Sequence, residues 1–418
     1  MLNEASVSAV AAASRGEGRV RPLYDSYCFS RIPGTVERLL LGGDAPALPE
    51  SCLAGLEGPW QRIVLVLLDA HGWEAVGRHA EHPLLRRVAG EGVLSCLTSQ
   101  FPSTTSAHVT TLGSGLPVGL HGIYEWFLYE PSLDRIVAPL RFAFAGDDEP
   151  ETLRGVLAPE ALFPEASLWQ RLAERGVACA VAQPEQLVGS TYSAAAARGA
   201  RMLPFATPEE GLSAVAAFLG GPGPRYAGLY LDGFDSISHL YGPRSPEADE
   251  VATAYLDELD RALAALGAAG PTLLLLTADH GQVGIDPAQT VYVDLVWPEL
   301  AGLLRTGADG LPLAPAGSPR DLFLHVREGC VDEVVAGLSA RLGDRAEVVR
   351  VADLVAEGLF GPEIGEPLRR RLAEVAVLPV PGESVWWWGD GRHAQRFRGH
   401  HGGLWRGEAE TFLGALAL

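Results

Sequence analysis

Three stretches of the chain are apolar without a break and then stop at an acid. They are Arg62–Asp69 (RIVLVLLD), Tyr226–Asp232 (YAGLYLD) and Pro271–Asp279 (PTLLLLTAD). A half-exposed strand alternates polar and apolar residues. A strand covered on both faces does not, so these runs are expected of a parallel sheet between two helical layers. Ala178–Pro184 (ACAVAQP) reads as a fourth, weaker strand. The clearest helix is predicted over Pro246–Ala268. There Val251, Tyr255, Leu259, Leu263 and Leu266 recur at helical spacing behind the helix start SPEADE. Strand and helix alternation predicts an α/β fold: a doubly wound, mostly parallel sheet with helices on both faces.

At 418 residues the chain is too long for one ordinary core. Residues 290–395 also read differently. A Gly/Pro-rich stretch leads into a strand–helix–strand–helix unit, closed by ESVWWWGDG. This segment is expected to be a small inserted α/β cap subdomain, with the core formed by 1–289 and 396–418. Its three consecutive tryptophans are read as strand packing rather than a base-stacking clamp.

The formal net charge is −20, which disfavours nucleic-acid duplexes and anionic membranes as partners. An anionic substrate then needs a local positive source, such as metal ions or helix N-termini. All 32 basic residues are Arg, so Schiff-base, P-loop and pyridoxal-phosphate chemistry are excluded. The five cysteines are scattered, with no CxxC pair and no disulfide framework. No run approaches the ~18 apolar residues of a membrane span. The N-terminal stretch carries Glu4 and no basic start, unlike a secretory signal. A cytoplasmic location is expected.

Sites in open α/β sheets form at the carboxyl ends of strands, where the acids stand. Asp69 ends the first run, and Asp279 with His280 ends the third. Asp235 and His239 follow the second, and FRGHHGGLWRGEAE supplies His400 and His401. Taken singly, each has an ordinary structural explanation, since a strand-end Asp often caps the next helix. Together they point to a shared site, because buried charges need partners or metals. Mixed carboxylates and imidazoles suit a zinc-like ion, with manganese as the alternative. Three Asp and three His are enough for two ions, and two metals suggest in-line displacement at phosphorus.

With these motifs the chain resembles the alkaline phosphatase superfamily, in its nucleotide pyrophosphatase/phosphodiesterase branch. LVLLDAHGW, FPSTTSAHVTTLGSGLPVGLHGIYEW, GFDSISHLYGP, TADHGQV and HHGGLWRGE run in family order from Leu65 to Glu408. The resemblance implies one metal site at Asp235, His239 and His401. It implies another at Asp69, Asp279 and His280, with the nucleophile oxygen bridging toward it. His401 is preferred to His400 because the family's late ligand precedes Gly. Ser103–Thr110 holds five hydroxyl side chains in eight residues. The family's nucleophilic Thr lies three residues after a Pro and sixteen before the His of an HGI segment. Counting from Pro102 and from His121 reaches Thr105 both times, with Thr104 as the alternative. A helix is predicted over about Ser106–Leu112, so the nucleophile would sit at a helix N-terminus, which favours an alkoxide.

Two positions depart from the family. Trp126 stands where eukaryotic-type phosphodiesterases carry an Asn that helps bind a phosphate oxygen. The metals, a backbone N–H near Thr105, His108 or Tyr124 are the candidate replacements. Ala70 stands where many relatives have Gly. Ser106, not the Arg of the monoesterases, follows the nucleophile. The expected function is metal-dependent hydrolysis of phosphodiester or pyrophosphate bonds through a phosphothreonine. Phosphonate or phosphomonoester hydrolysis on the same metals is the alternative, with a non-catalytic metal-bound scaffold behind both. The expected cofactors are two divalent ions, Zn2+ ahead of Mn2+. The expected partner is a small phosphate-containing substrate, nucleotides included. Residues in Trp126–Pro150 and the inserted segment are expected to bind it.

Overall fold

A computed structural model describes residues 1–418. The three apolar runs become neighbouring parallel strands at the centre of a seven-stranded sheet. Its order is Val93–Thr98, Glu410–Ala417, Thr272–Thr277, Arg62–Leu68, Arg225–Leu231, Ala178–Pro184, Arg201–Phe205. Arg62–Leu68 is parallel to both neighbours. Only Glu410–Ala417 runs antiparallel to the strands beside it.

Side chains alternate between two apolar layers. Val64, Val66 and Leu68 pack against Leu256, Leu259 and Leu263 of one helix. Ile63, Leu65 and Leu67 pack with Phe29, Trp169 and Leu172 on the other face. Each such side chain, fully buried, contributes ~1.5–3 kcal/mol. This two-sided burial is why the runs lack polar residues. The long helix spans Pro246–Gly267, with Ser245 accepting from the Ala248 N–H at its start. Its buried stripe is Ala248, Ala252, Leu256, Leu259, Leu263 and Leu266, so Val251 and Tyr255 lie at the margin.

Within residues 290–395 three strands form an antiparallel sheet, ordered Leu322–Leu324, Val375–Pro379, Ala346–Arg350. Two helices, Val331–Leu342 and Val351–Ala356, accompany it. The sequence reading had two strands; the middle one, Val375–Pro379, is additional. Leu322, Leu324, Val375 and Val377 lie under Val334 and Leu338. Phe323, Ala376 and Leu378 share a core with Phe101, Tyr124 and Leu162 instead. This segment therefore packs continuously onto the chain that carries Thr105. Trp386 and Trp387 are buried in its core. All five cysteines are unpaired. No helix is long and apolar enough to cross a membrane.

Candidate active site

The carboxyl ends of the central strands deliver the acids to one place. Asp69 and Asp279 follow neighbouring strands and are fully buried. Asp235 and His239 share one face of the Gly233–Tyr241 helix, four residues apart. His401 arrives from the segment before the last strand. Two groups result: Asp235, His239 and His401, and Asp69, Asp279 and His280. In each, the three ligand atoms lie within 4.8 Å of one another.

The histidines are oriented alike. Nδ1 of His239 donates to the Gly399 carbonyl (2.8 Å), Nδ1 of His280 to Gly281 (3.0 Å) and Nδ1 of His401 to Ser103 (2.9 Å). A carbonyl only accepts, so each ring carries its proton on Nδ1. That turns Nε2 of each ring toward the acids, the second-sphere arrangement of metal-ligating imidazoles. Nε2 of His280 lies 3.3 Å from Asp279 Oδ2, a buried oxygen that no donor reaches. The His280 and His401 rings stack at 3.7 Å, and burial, then His280, holds the His401 imidazole well below its usual range. Burial, then Asp279 and Asp235, pushes the Asp69 carboxyl well up. No guanidinium pairs with any of the three acids, so this donor set fits divalent metal ions.

Thr105 opens the helix Thr105–Ser114, longer at both ends than expected, with Thr104 as N-cap. Its Oγ1 is 3.0 Å from His280 Nε2 and 3.4 Å from Asp69 Oδ1. All seven expected site residues are therefore brought together. His400 stays outside the two groups; its Nδ1 faces the backbone of His401.

Three further residues shape the site. Tyr230 donates its hydroxyl to Asp69, and Gln282 donates its amide to Asp235. Ser103 ties the Thr105 loop to the histidine loop: its Oγ donates to Gly403 O at 2.7 Å and its carbonyl holds His401. Gly402, at φ +131°, lets the histidine loop pass; a Cβ there would meet Asp321 Oδ1 at 2.5 Å. Ala70 sits in the left-handed region (φ 60°) and donates its N–H to Asp279 Oδ1 at 3.0 Å.

Neither expected oxyanion side chain faces the site. Both His108 nitrogens are engaged, with Ser99, Gln100 and the Thr104 carbonyl. Tyr124 is buried and directed at the Arg371 carbonyl. Trp126 stands 40% exposed at the site's mouth. Near Thr104, the buried carboxyls of Glu125 and Asp321 adjoin, and Glu125 Oε1 and Asp321 Oδ2 both lack a donor. A single proton held between them would satisfy both. Burial pushes the Glu125 carboxyl up to about 8, and burial with the Glu125 charge raises Asp321.

Two cavities meet at Thr105, Trp126 and Asp235. One, about 360 Å³, is polar and runs past His239, His401, Ser318, Trp386 and Arg392. The other, about 320 Å³, is apolar and runs under the Thr105 helix along the sheet. Substrate binding had been expected in Trp126–Pro150 and the inserted segment. Those supply much of the polar cleft, but only Trp126, Leu140 and Arg141 of the apolar one.

A profile of the type I phosphodiesterase / nucleotide pyrophosphatase family matches residues 63–404, most of the chain. Comparison with curated proteins gives no match. Among solved structures the chain is similar to murine ectonucleotide pyrophosphatase / phosphodiesterase 5. Identity is 17%, with TM-score 0.66 over 85% of this chain and 88% of that one. An inactive Thr-to-Ala form of that murine protein, in complex with AMP, matches with TM-score 0.65 at 17% identity, over 85% and 88% of the two chains. Phosphonoacetate hydrolase from Sinorhizobium meliloti 1021, in complex with phosphonoacetate, matches at 19% identity and TM-score 0.61, over 87% and 92% of the two chains. At such identities the likeness to these structures is one of fold. The family match goes further: the chain belongs to the type I phosphodiesterase / nucleotide pyrophosphatase family of hydrolases.

Proposed function

We propose that the protein hydrolyses phosphodiester or pyrophosphate bonds through a phosphothreonine at Thr105, on a two-metal site. One observation carries this reading. Thr105 Oγ1 stands beside the Asp69–Asp279–His280 group, and a separate cleft opens on each side of it. A phosphorus bearing two substituents has room for both. Thr104 lines only the polar cleft, which favours Thr105 as nucleophile. The murine relative whose Thr-to-Ala form is inactive supports the same residue type.

Asp235, His239 and His401 would hold one cation, and Asp69, Asp279 and His280 the other, Zn2+ ahead of Mn2+. When bound, such ions neutralise phosphoryl oxygens and acidify a nearby hydroxyl. Thr105 Oγ1 forms a bond to phosphorus as the bond to the leaving oxygen breaks. The leaving group departs into the polar cleft and takes up a proton. Water then displaces Thr105, which regains its hydrogen, and a phosphomonoester is released. Free N–H groups in the first turn after Thr105 are placed to donate to a nonbridging oxygen, in place of the missing Asn. No Arg follows Thr105 to clamp a dianion, which favours diesters. The same reading takes residues 290–395 as an inserted subdomain that walls the polar cleft. Five unpaired cysteines support a reducing, cytoplasmic setting.

The test is turnover of bis-p-nitrophenyl phosphate against p-nitrophenyl phosphate, on chelator-stripped protein with zinc or manganese restored. Metal-dependent preference for the diester is expected. Preference for the monoester would overturn the reading, and cleavage of phosphonoacetate alone would favour the phosphonate alternative.

A further inference from the structure

The apolar cavity is built from one face of the sheet. Leu65, Leu67 and Asp69 alternate along one strand, Val181 and Gln183 along another, and Tyr226, Gly228 and Tyr230 along a third. Tyr230 donates to Asp69 at the site. Tyr226 lies four residues back on the same strand, so the cavity reaches roughly 13 Å inward at ~3.3 Å per residue. Its volume of about 320 Å³ is in the range of small-molecule sites, whereas a packed core leaves few voids larger than one water.

Small residues keep it open. Gly113, Ser193, Ala196 and Ala197 line the helical side and Gly228 the sheet side. A Cβ on Gly228 would stand 3.2 Å from the Trp169 ring, and one on Gly113 2.5 Å from the Ala196 carbonyl. Beyond Asp69 and Asp235 the wall carries two charged groups, Asp232 near the site and Arg141. Its guanidinium already donates to the carbonyls of Asp147 and Asp148. At the deep end the Tyr226 hydroxyl is buried with no hydrogen-bond partner. The Gln183 amide, level with Tyr230 at the end nearer the site, donates to Ser193 Oγ at 2.9 Å.

We infer that this cavity holds the substrate arm retained on Thr105, an extended, uncharged, apolar group, and not a nucleoside. The inference rests on the phosphodiester reading above. A nucleoside carries ribose hydroxyls and polar base edges along its length, and the middle of this cavity offers them Leu65, Leu67, Val109, Val181 and Gly228. An alkyl or aryl chain asks for no hydrogen bonds from those side chains. The polar cleft, with Arg392 and the histidines, takes the leaving group. The product released after water attack is the monophosphate of the apolar alcohol.

The test uses metal-loaded protein and three p-nitrophenyl phosphodiesters whose second arm is methyl, octyl or thymidine 5′. At about fourfold per buried methylene, the octyl ester should exceed the methyl ester at least about 30-fold in kcat/KM, mainly through KM. The thymidine ester should fall below the octyl ester. Val181→Phe, which fills the cavity, should shrink the octyl-to-methyl ratio. Equal use of methyl and octyl esters, or preference for thymidine, would overturn the inference. Thermal unfolding separates the two readings. Octylphosphonate should raise Tm by about 2 °C or more where methylphosphonate does not. If no ester is cleaved but that shift appears, the cavity assignment stands and the phosphodiester reading falls. Without the shift, both fall.

Discussion

Buried charge is handled in two opposite ways in this molecule. Arg320 and Glu408 are both wholly buried and face each other at 2.9 Å. Arg320 spends its remaining donors on the carbonyls of Pro379, Val380 and Glu383. Arg371 does the same with Glu130 and the carbonyls of Gly122, Ala161 and Leu162. The fold completes these pairs itself. Asp69, Asp279 and Asp235 are set against one another and against the imidazoles of His239, His280 and His401, with Asp279 Oδ2 left without a donor. Here the fold builds only half of the interaction. The first arrangement holds the histidine loop against residues 318–321, and the second is open to a ligand.

The contrast can be broken in order of effect. Thr105→Ala should cut diester turnover at least about 10³-fold, about 4 kcal/mol in barrier, while Tm stays within about 2 °C. Steady-state rates and a melting curve decide it, and near-normal turnover would remove Thr105 from the chemistry. Glu408→Ala should destabilise by about 3–5 kcal/mol, measured by denaturant unfolding, since it strands a buried guanidinium. Asp279→Asn should do the reverse in metal-stripped protein, adding about 1–2 kcal/mol by relieving like-charge repulsion. With metal restored, the same variant should be the less stable one. If it destabilises the stripped protein too, the two arrangements are not opposites.

The Glu125–Asp321 pair offers a third, milder solution, a shared proton, and it sharpens the comparison through pH. The Glu125 carboxyl titrates near 8 in the folded protein against an ordinary 4.5. Between those values the folded state binds more protons than the unfolded one. Its contribution is therefore fully present below about 4.5 and lost as pH rises through about 8. Glu125→Gln should flatten the fall in stability over that window, which is limited to about 1.4 kcal/mol per pH unit for one group. An unchanged slope would mean that the pair does not share a proton.

What the sequence disclosed follows the range of each interaction. The central strands were legible because burial on both faces leaves an unbroken apolar run, as in Ile63–Leu68. Glu410–Ala417 was not, although it is equally buried, because ETFLGALA opens on an acid and is broken by Gly414. The residues of the two candidate metal groups were legible because each stands in a compact motif. Gln282 lies inside one of those motifs, yet its grip on Asp235 exists only once two distant segments meet. Tyr230 reads as ordinary strand. The apolar cavity left no local trace at all. Val181, Ser193, Gly228 and Val109 come from four segments, and none is unusual where it stands.

The antiparallel Glu410–Ala417 strand carries a consequence for synthesis. It lies inside the sheet, between Val93–Thr98 and Thr272–Thr277, and His401 precedes it by nine residues at its first residue. A nascent chain that has already made five of its seven strands side by side still has an open slot between that block and the strand at the edge. It also lacks His401, one of the two imidazoles that face Asp235. The slot and the candidate metal site are closed by the same late segment. On the two-metal reading, full coordination belongs to the finished sheet and cation capture would act as a completion signal: a chain stalled before this segment has neither its last strand nor His401.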